Sequence, residues 1–116
     1  MAEQDCIFCR LIAGELPADV VYQDGAAAVI RDTNPQAPVH LLVLPKEHYD
    51  SLDDVGKRDE ALLGHLMRVA ARVANEHGLG EGGYRTVINT GEGAGQSVFH
   101  LHVHVLGGRE LTWPPG

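Results

Sequence analysis

Apolar residues along this chain recur in short bursts, some at helical spacing and some in strict alternation. The firmest pattern is helical. Leu62, Leu66, Val69 and Val73 step by four, three and four, while His65, Arg68 and Arg72 fall opposite as solvent-facing positions. That spacing predicts one long amphipathic helix with its stripe against a core. Gly78 is placed to close it, since glycine accepts the left-handed conformation of a C-cap. A shorter helix is predicted over residues 6–13, with Ile7, Phe8, Leu11 and Ile12 on one side and Gly14 near its end.

The remaining patterns read as strands. Val20 to Gln23 and Ala26 to Arg31 flank Asp24–Gly25, a hairpin signal. His40 to Leu44 is an apolar run closed by Pro45, as in a buried strand, and Tyr84 to Asn89 is a further strand. Phe99 to Leu106 alternates apolar and polar residues. Pro35 and Pro38 make the loop at 32–38 irregular, and a glycine-rich loop covers 90–97. Together these predict an α+β fold: an antiparallel sheet of about five strands, with one long and one short N-terminal helix on one side of it. At 116 residues the chain suffices for one domain, 1–116, and is too short for two.

Composition narrows the function. A hydrophobic fraction of 44% with 22% charged residues supports an ordinary core. A net charge of −7 argues against a nucleic-acid polymer, which requires a basic stripe. A small anion remains admissible, because backbone N–H groups and hydroxyls hold one or two phosphates without net positive charge. No apolar run approaches membrane-spanning length. The acidic opening Met1–Asp5 lacks the basic and apolar regions of a signal peptide. Cytoplasmic residence is expected, and there Cys6 and Cys9 serve as reduced thiols or metal ligands rather than as a disulfide.

The candidate chemistry lies in the alternating strand, where His100, His102 and His104 face one way and Phe99, Leu101, Val103 and Val105 the other. A half-buried strand with a chance histidine face is one reading, but three imidazoles repel one another when charged and add little stability. A three-histidine metal site is a second. On a straight strand the outer pair lies about 13 Å apart, so all three do not easily converge on one zinc, though two could share a metal with further ligands. Nucleophilic catalysis is the third and preferred reading, since imidazole has an unperturbed pKa of about 6.5 and is available neutral at pH 7. The His100 carbonyl is placed to accept the other ring proton of His102. Donors for phosphoryl oxygens are offered by backbone N–H groups near Gly95, Gln96 and Ser97, by the Ser97 hydroxyl and by His104.

The run from Gly95 to Arg109, with its His-x-His-x-His core, resembles the signature of the histidine triad (HIT) superfamily. The resemblance extends to Ile7–Phe8, Asp32, Pro35 to His40, Pro45 to His48, Asn89 and the terminal Trp113–Pro114–Pro115–Gly116. It points to the Hint-like branch, the purine nucleoside phosphoramidate hydrolases. It implies His102 as a nucleophile that becomes nucleotidylated, His104 as a phosphate contact and His40 as a further histidine supporting the nucleophile. His100 belongs to the same catalytic strand. Ser97, Gln96, Gly95 and Asn89 would contact the phosphate and leaving group, Asp32 the ribose, and Phe8, Leu11, Ile30 and Leu42 the base. Ile30 and Thr33 depart from the bulkier or more apolar residues usual there, which leaves the purine open.

The same resemblance implies a structural zinc on Cys6, Cys9, His48 and His100, no organic cofactor, and a homodimer in which Trp113 reaches the partner's site. From the residues alone, Cys6 and Cys9 are a weak zinc signal that supplies two of about four ligands, two free buried thiols are the alternative, and a redox role lacks the preceding strand it needs. Within the superfamily the alternative activity is hydrolysis of dinucleoside polyphosphates. Outside enzymes, the alternative is a nucleotide-binding regulatory module.

Overall fold

A computed structural model describes residues 5–116; Met1–Gln4, most of the acidic opening, lie outside them. The described elements are, in order, α1 (Ile7–Ile12), β1 (Val20–Gln23), β2 (Ala27–Arg31), β3 (Val39–Pro45), α2 (Glu60–Glu76), β4 (Tyr84–Val87) and β5 (Val103–Gly107). Five strands form one antiparallel sheet in the order β1-β2-β3-β5-β4. This is the predicted α+β class with about five strands, one long helix and one short one.

Alternation sorts the core into two layers. Ala27 and Val29 of β2, Leu41 and Val43 of β3, and Val103 and Val105 of β5 pack with Leu66, Val69 and Val73 of α2. Burying each of those three helix side chains stabilises by about 1.5–3 kcal/mol. That outweighs the roughly 1 kcal/mol cost of the mid-helix Gly64. Gly78 takes φ of +79° just past the last turn, as a left-handed cap requires. Ile30, Leu42 and Leu44 emerge on the opposite face and pack with Cys6 and Phe8. The two helices therefore cover opposite faces, a correction to the one-sided arrangement expected. β3 shows why: it is buried along nearly its whole length, and such a run carries no signal of which face is covered. Within α1 only Phe8 is buried, while Ile7 is exposed.

The histidine strand is shorter than its alternation predicts, beginning at Val103 rather than Phe99. Val43 pairs with Val103, so continued pairing would set Leu101 opposite Pro45. Proline has no N–H to give, and the ladder stops. The Leu101 N–H donates instead to the Tyr49 carbonyl at 2.7 Å. The Pro45 carbonyl lies 2.8 Å from Nε2 of His100. His100 is thereby set beside Cys6, Cys9 and Phe8, apart from the His102–His104 pair.

One further side chain departs from its expected exposure. His65 of α2 is half-buried, its Nε2 2.8 Å from the Asp24 carboxylate in the β1–β2 turn.

Candidate active site

His104, within β5, lies opposite Leu42 of β3 and Val87 of β4, on the sheet face covered by α1. His102, one residue before β5, stands beside it with ring centroids 5.0 Å apart. Phe8 meets the His102 ring edge-on at 5.2 Å. Both imidazoles wall a cavity of about 660 Å³ that is also lined by Phe8, Leu11, Ile30, Leu42, Asp32 and Ser97. Mostly apolar, with a few convergent polar groups, it has the size and lining of a small-molecule site.

Hydrogen bonding fixes the protonation of the central ring. Nδ1 of His102 lies 2.7 Å from the carbonyl oxygen of His100. A carbonyl can only accept, so the ring proton sits on Nδ1 and Nε2 keeps its lone pair. Burial pushes the pKa of His102 down, against that carbonyl and the Asp32 charge. Burial also lowers His40, again against Asp32. His104 is held at about 4 by burial, with the neighbouring His102 and His40 adding to the effect and Asp32 opposing it. All three are neutral at pH 7. Behind them, Nε2 of His40 is 2.9 Å from Nδ1 of His104 and 3.4 Å from Asp32.

His100 belongs to a different constellation, with Cys6, Cys9 and His48. Its Nδ1 is 3.3 Å from Sγ of Cys6, 3.4 Å from Sγ of Cys9 and 3.2 Å from Nδ1 of His48. Sγ of Cys9 is 3.2 Å from Nδ1 of His48. Tetrahedral zinc, bonded at about 2.3 Å to sulfur and 2.0–2.1 Å to nitrogen, sets its ligand atoms roughly 3.3–3.8 Å apart. The far nitrogens are both engaged: Nε2 of His48 by Asp50 at 2.7 Å, and Nε2 of His100 by Pro45. Each acceptor places the proton on Nε2, so both Nδ1 lone pairs face the two sulfurs. Four electron-rich atoms converging on one point, with carboxylate and carbonyl supports behind the imidazoles, suit a cation.

A profile of the HIT domain family matches residues 13–111. The chain belongs to the HIT family. It is 52% identical over 113 residues to an uncharacterized HIT-like protein of Synechococcus elongatus, covering 97% of this chain and 98% of that one. A crystal structure of a HIT family hydrolase from Legionella pneumophila superposes with a TM-score of 0.93 at 48% identity, covering 96% of this chain and 99% of that one. A zinc-bound histidine triad protein from Mycobacterium smegmatis gives 0.79 at 35% identity, over 97% and 83% of the two chains. HIT family hydrolases among these neighbours support a hydrolase.

Within this HIT fold, most of the residues expected to bind nucleotide meet at one cavity. Phe8, Leu11, Ile30, Asp32, Leu42, Ser97, His102 and His104 share the cavity wall. Asn89 stands just behind, its amide nitrogen 3.5 Å from Nε2 of His104.

The loop donors and the tail fall elsewhere. The backbone N–H groups of Gly95 and Gln96 are taken by the carbonyls of Glu92 and Gly91. The buried Gln96 amide accepts from Gly91 N–H at 2.9 Å and donates to the carbonyls of Asp50 and Val98. It ties the loop down instead of facing a ligand. Trp113 is 81% exposed, outside the cavity, on a tail held by Arg85, which donates to the Thr112 carbonyl at 2.9 Å. Sequence reasoning missed Asp50 and Pro45 as supports of the Cys/His cluster. Asp50 sits two residues past His48, a spacing that could have suggested it.

Proposed function

We propose that this HIT protein hydrolyses P–N bonds of purine nucleoside monophosphoryl compounds, such as adenosine phosphoramidates, through a nucleotidyl-His102 intermediate. The observation that carries this reading is the His102–His100 hydrogen bond, which leaves a neutral, outward lone pair on a cavity wall. In the first step Nε2 of His102 forms a bond to phosphorus as the P–N bond breaks, and the leaving amine takes up one proton from solvent. Positive charge on the substituted imidazole is stabilised by the His100 carbonyl at Nδ1. In the second step water bonds to phosphorus, the Nε2–P bond breaks, and one proton returns to solvent with release of the nucleoside monophosphate. Ser97 and His104 supply donors to phosphoryl oxygens, and Asp32 accepts from ribose hydroxyls. The apolar wall around Phe8 and Ile30 receives the base.

Cys6, Cys9, His48 and His100 hold a structural zinc in this reading, supported by the ligand spacing above. Its chemistry is to cross-link the N-terminal segment to the strand that carries the nucleophile. A symmetric homodimer, supported by the exposed Trp113, completes the assignment, with the tail shaping the partner's leaving-group pocket.

The deciding experiment is mass spectrometry of the protein quenched during turnover of a slow adenosine phosphoramidate. A nucleotidyl adduct on His102 is expected. Turnover without any adduct would favour direct attack by water, and faster turnover of diadenosine polyphosphates would reassign the substrate.

A further inference from the structure

We propose that the backbone N–H of Gln36, held in place by Arg109, sets the tautomer of the His40–His104 pair, so that His104 offers an N–H beside the lone pair of His102. The role given to His104 rests on the function proposed above. The tautomers themselves follow from hydrogen bonding alone.

The chain of donors runs one way. Gln36 N–H donates to Nδ1 of His40 at 3.0 Å. An amide N–H can only donate, so Nδ1 carries the lone pair and the proton of neutral His40 sits on Nε2. That proton points at Nδ1 of His104, 2.9 Å away. Two N–H groups cannot face each other at that distance, so Nδ1 of His104 accepts and its proton lies on Nε2. The Asn89 amide nitrogen, 3.5 Å from Nε2, is a donor and cannot accept that proton; at the edge of hydrogen-bond range it is a weak contact, and the 2.9 Å bond from His40 decides the tautomer. His102 has the reverse tautomer because its Nδ1 faces a carbonyl. Two adjacent imidazoles of like type therefore present one lone pair and one donor, the combination that phosphoryl attack requires.

The same hydrogen bond explains why a second cluster is a poor metal site. Asp32, His40 and His104 bring ligand atoms within 4.8 Å of one another. In the Cys/His cluster the protons point outward and the lone pairs inward. Here the Gln36 amide sends the His40 proton inward, where a cation would need a lone pair.

Arg109 is the anchor. Its Nε and Nη2 donate to the Gln36 carbonyl at 3.2 and 3.0 Å, and Nη1 donates to the Glu110 carbonyl at 2.9 Å. β3–β5 pairing ends at Val39 and Gly107, which brings the two segments together. Gly108 makes the approach possible. It turns at φ +92°, and a Cβ there would stand 3.0 Å from Cβ of Pro38. Arg109 and Gln36 are thus positioning residues, acting on His104 through His40.

The test is long-range imidazole ¹H–¹⁵N correlation on the zinc-loaded, uniformly labelled protein near pH 7.5, with hydrolysis kinetics on the same samples. Wild type is expected to show His40 and His104 as Nε2–H tautomers and His102 as Nδ1–H. Arg109→Ala is expected to give mixed tautomers at His40 and His104. Its kcat should fall about tenfold to a hundredfold, with KM changed less than about threefold. Arg109→Lys, which keeps one donor toward Gln36, should restore part of both readouts, and it carries the test if the alanine protein is unstable. A proton on Nδ1 of His40 in wild type, or unchanged tautomers in folded Arg109→Ala, would overturn the proposal whatever kcat does. Shifted tautomers with an unchanged kcat would also overturn it. A chain with no phosphoramidase turnover would refute the proposed function while leaving the tautomer result readable.

Discussion

The hydrogen bond from His102 to the His100 carbonyl makes two residues separable in experiment. His102→Ala removes the attacking nitrogen but leaves the apolar wall and Asp32 in place. Hydrolysis should drop by at least about a thousandfold while AMP binding, followed by calorimetry, changes little. Activity within about tenfold of wild type would point to water as nucleophile. His104 gives a pH prediction. Its folded-state pKa of about 4 lies below the unfolded value of about 6.5. The unfolded chain therefore gains the proton first, and the stability conferred by neutral His104 is lost as pH falls from about 6.5 toward 4. Melting temperature should decline through that window. The decline should be shallower in His104→Asn.

Elements are joined here by polar ties as much as by apolar layers. Asp24, in the β1–β2 turn, accepts from the N–H groups of Ala26 and Ala27 and the Tyr22 hydroxyl, and pairs with His65 on α2. Burial raises its pKa, but those four hydrogen bonds together hold it well below the ordinary carboxylate value. The stabilisation is thus full at neutral pH and is lost progressively as pH falls below about 4, where the unfolded chain takes up the proton first. Asp24→Asn should lower the melting temperature by several degrees at pH 7, with the gap to wild type closing only in strong acid. A gap that closes already near pH 5 would contradict this tie. The helix stripe and the hairpin were legible because their periods are set by adjacent residues. The early end of the histidine strand was not, since it depends on Pro45, which meets Leu101 only through β3–β5 register. The cavity residues were legible through family resemblance, whereas Gln36 acts through its backbone N–H and carbonyl, and Arg109 reaches it only because β3–β5 pairing brings the two segments together.

At the scale of the molecule, the N-terminal segment is fastened to the sheet through Cys6 and Cys9. Protein purified without chelator should carry one zinc per chain by elemental analysis, and Cys6→Ser should abolish it and lower the melting temperature. Zinc-free protein of unchanged stability would remove the structural role. Deleting Trp113 to Gly116 should alter the ratio of kcat/KM for two phosphoramidates with different amines more than it alters stability. An unchanged ratio, or a monomeric wild type by light scattering, would refute a shared pocket. No described helix is long and apolar enough to cross a membrane.

The neutrality of His102, His104 and the supporting His40 has a consequence for turnover. Arg31 is paired with Asp19 at 2.9 Å, which leaves the Asp32 carboxylate as the uncompensated charge on the cavity wall. On the proposed activity, the phosphoramidate carries one negative charge on its phosphoryl group, and the monophosphate product gains a second above about pH 6. Repulsion from Asp32 would then favour departure of the product. Inhibition by AMP should accordingly weaken between pH 6 and 8, and a constant inhibition constant across that range would show that the departing anion feels no such push.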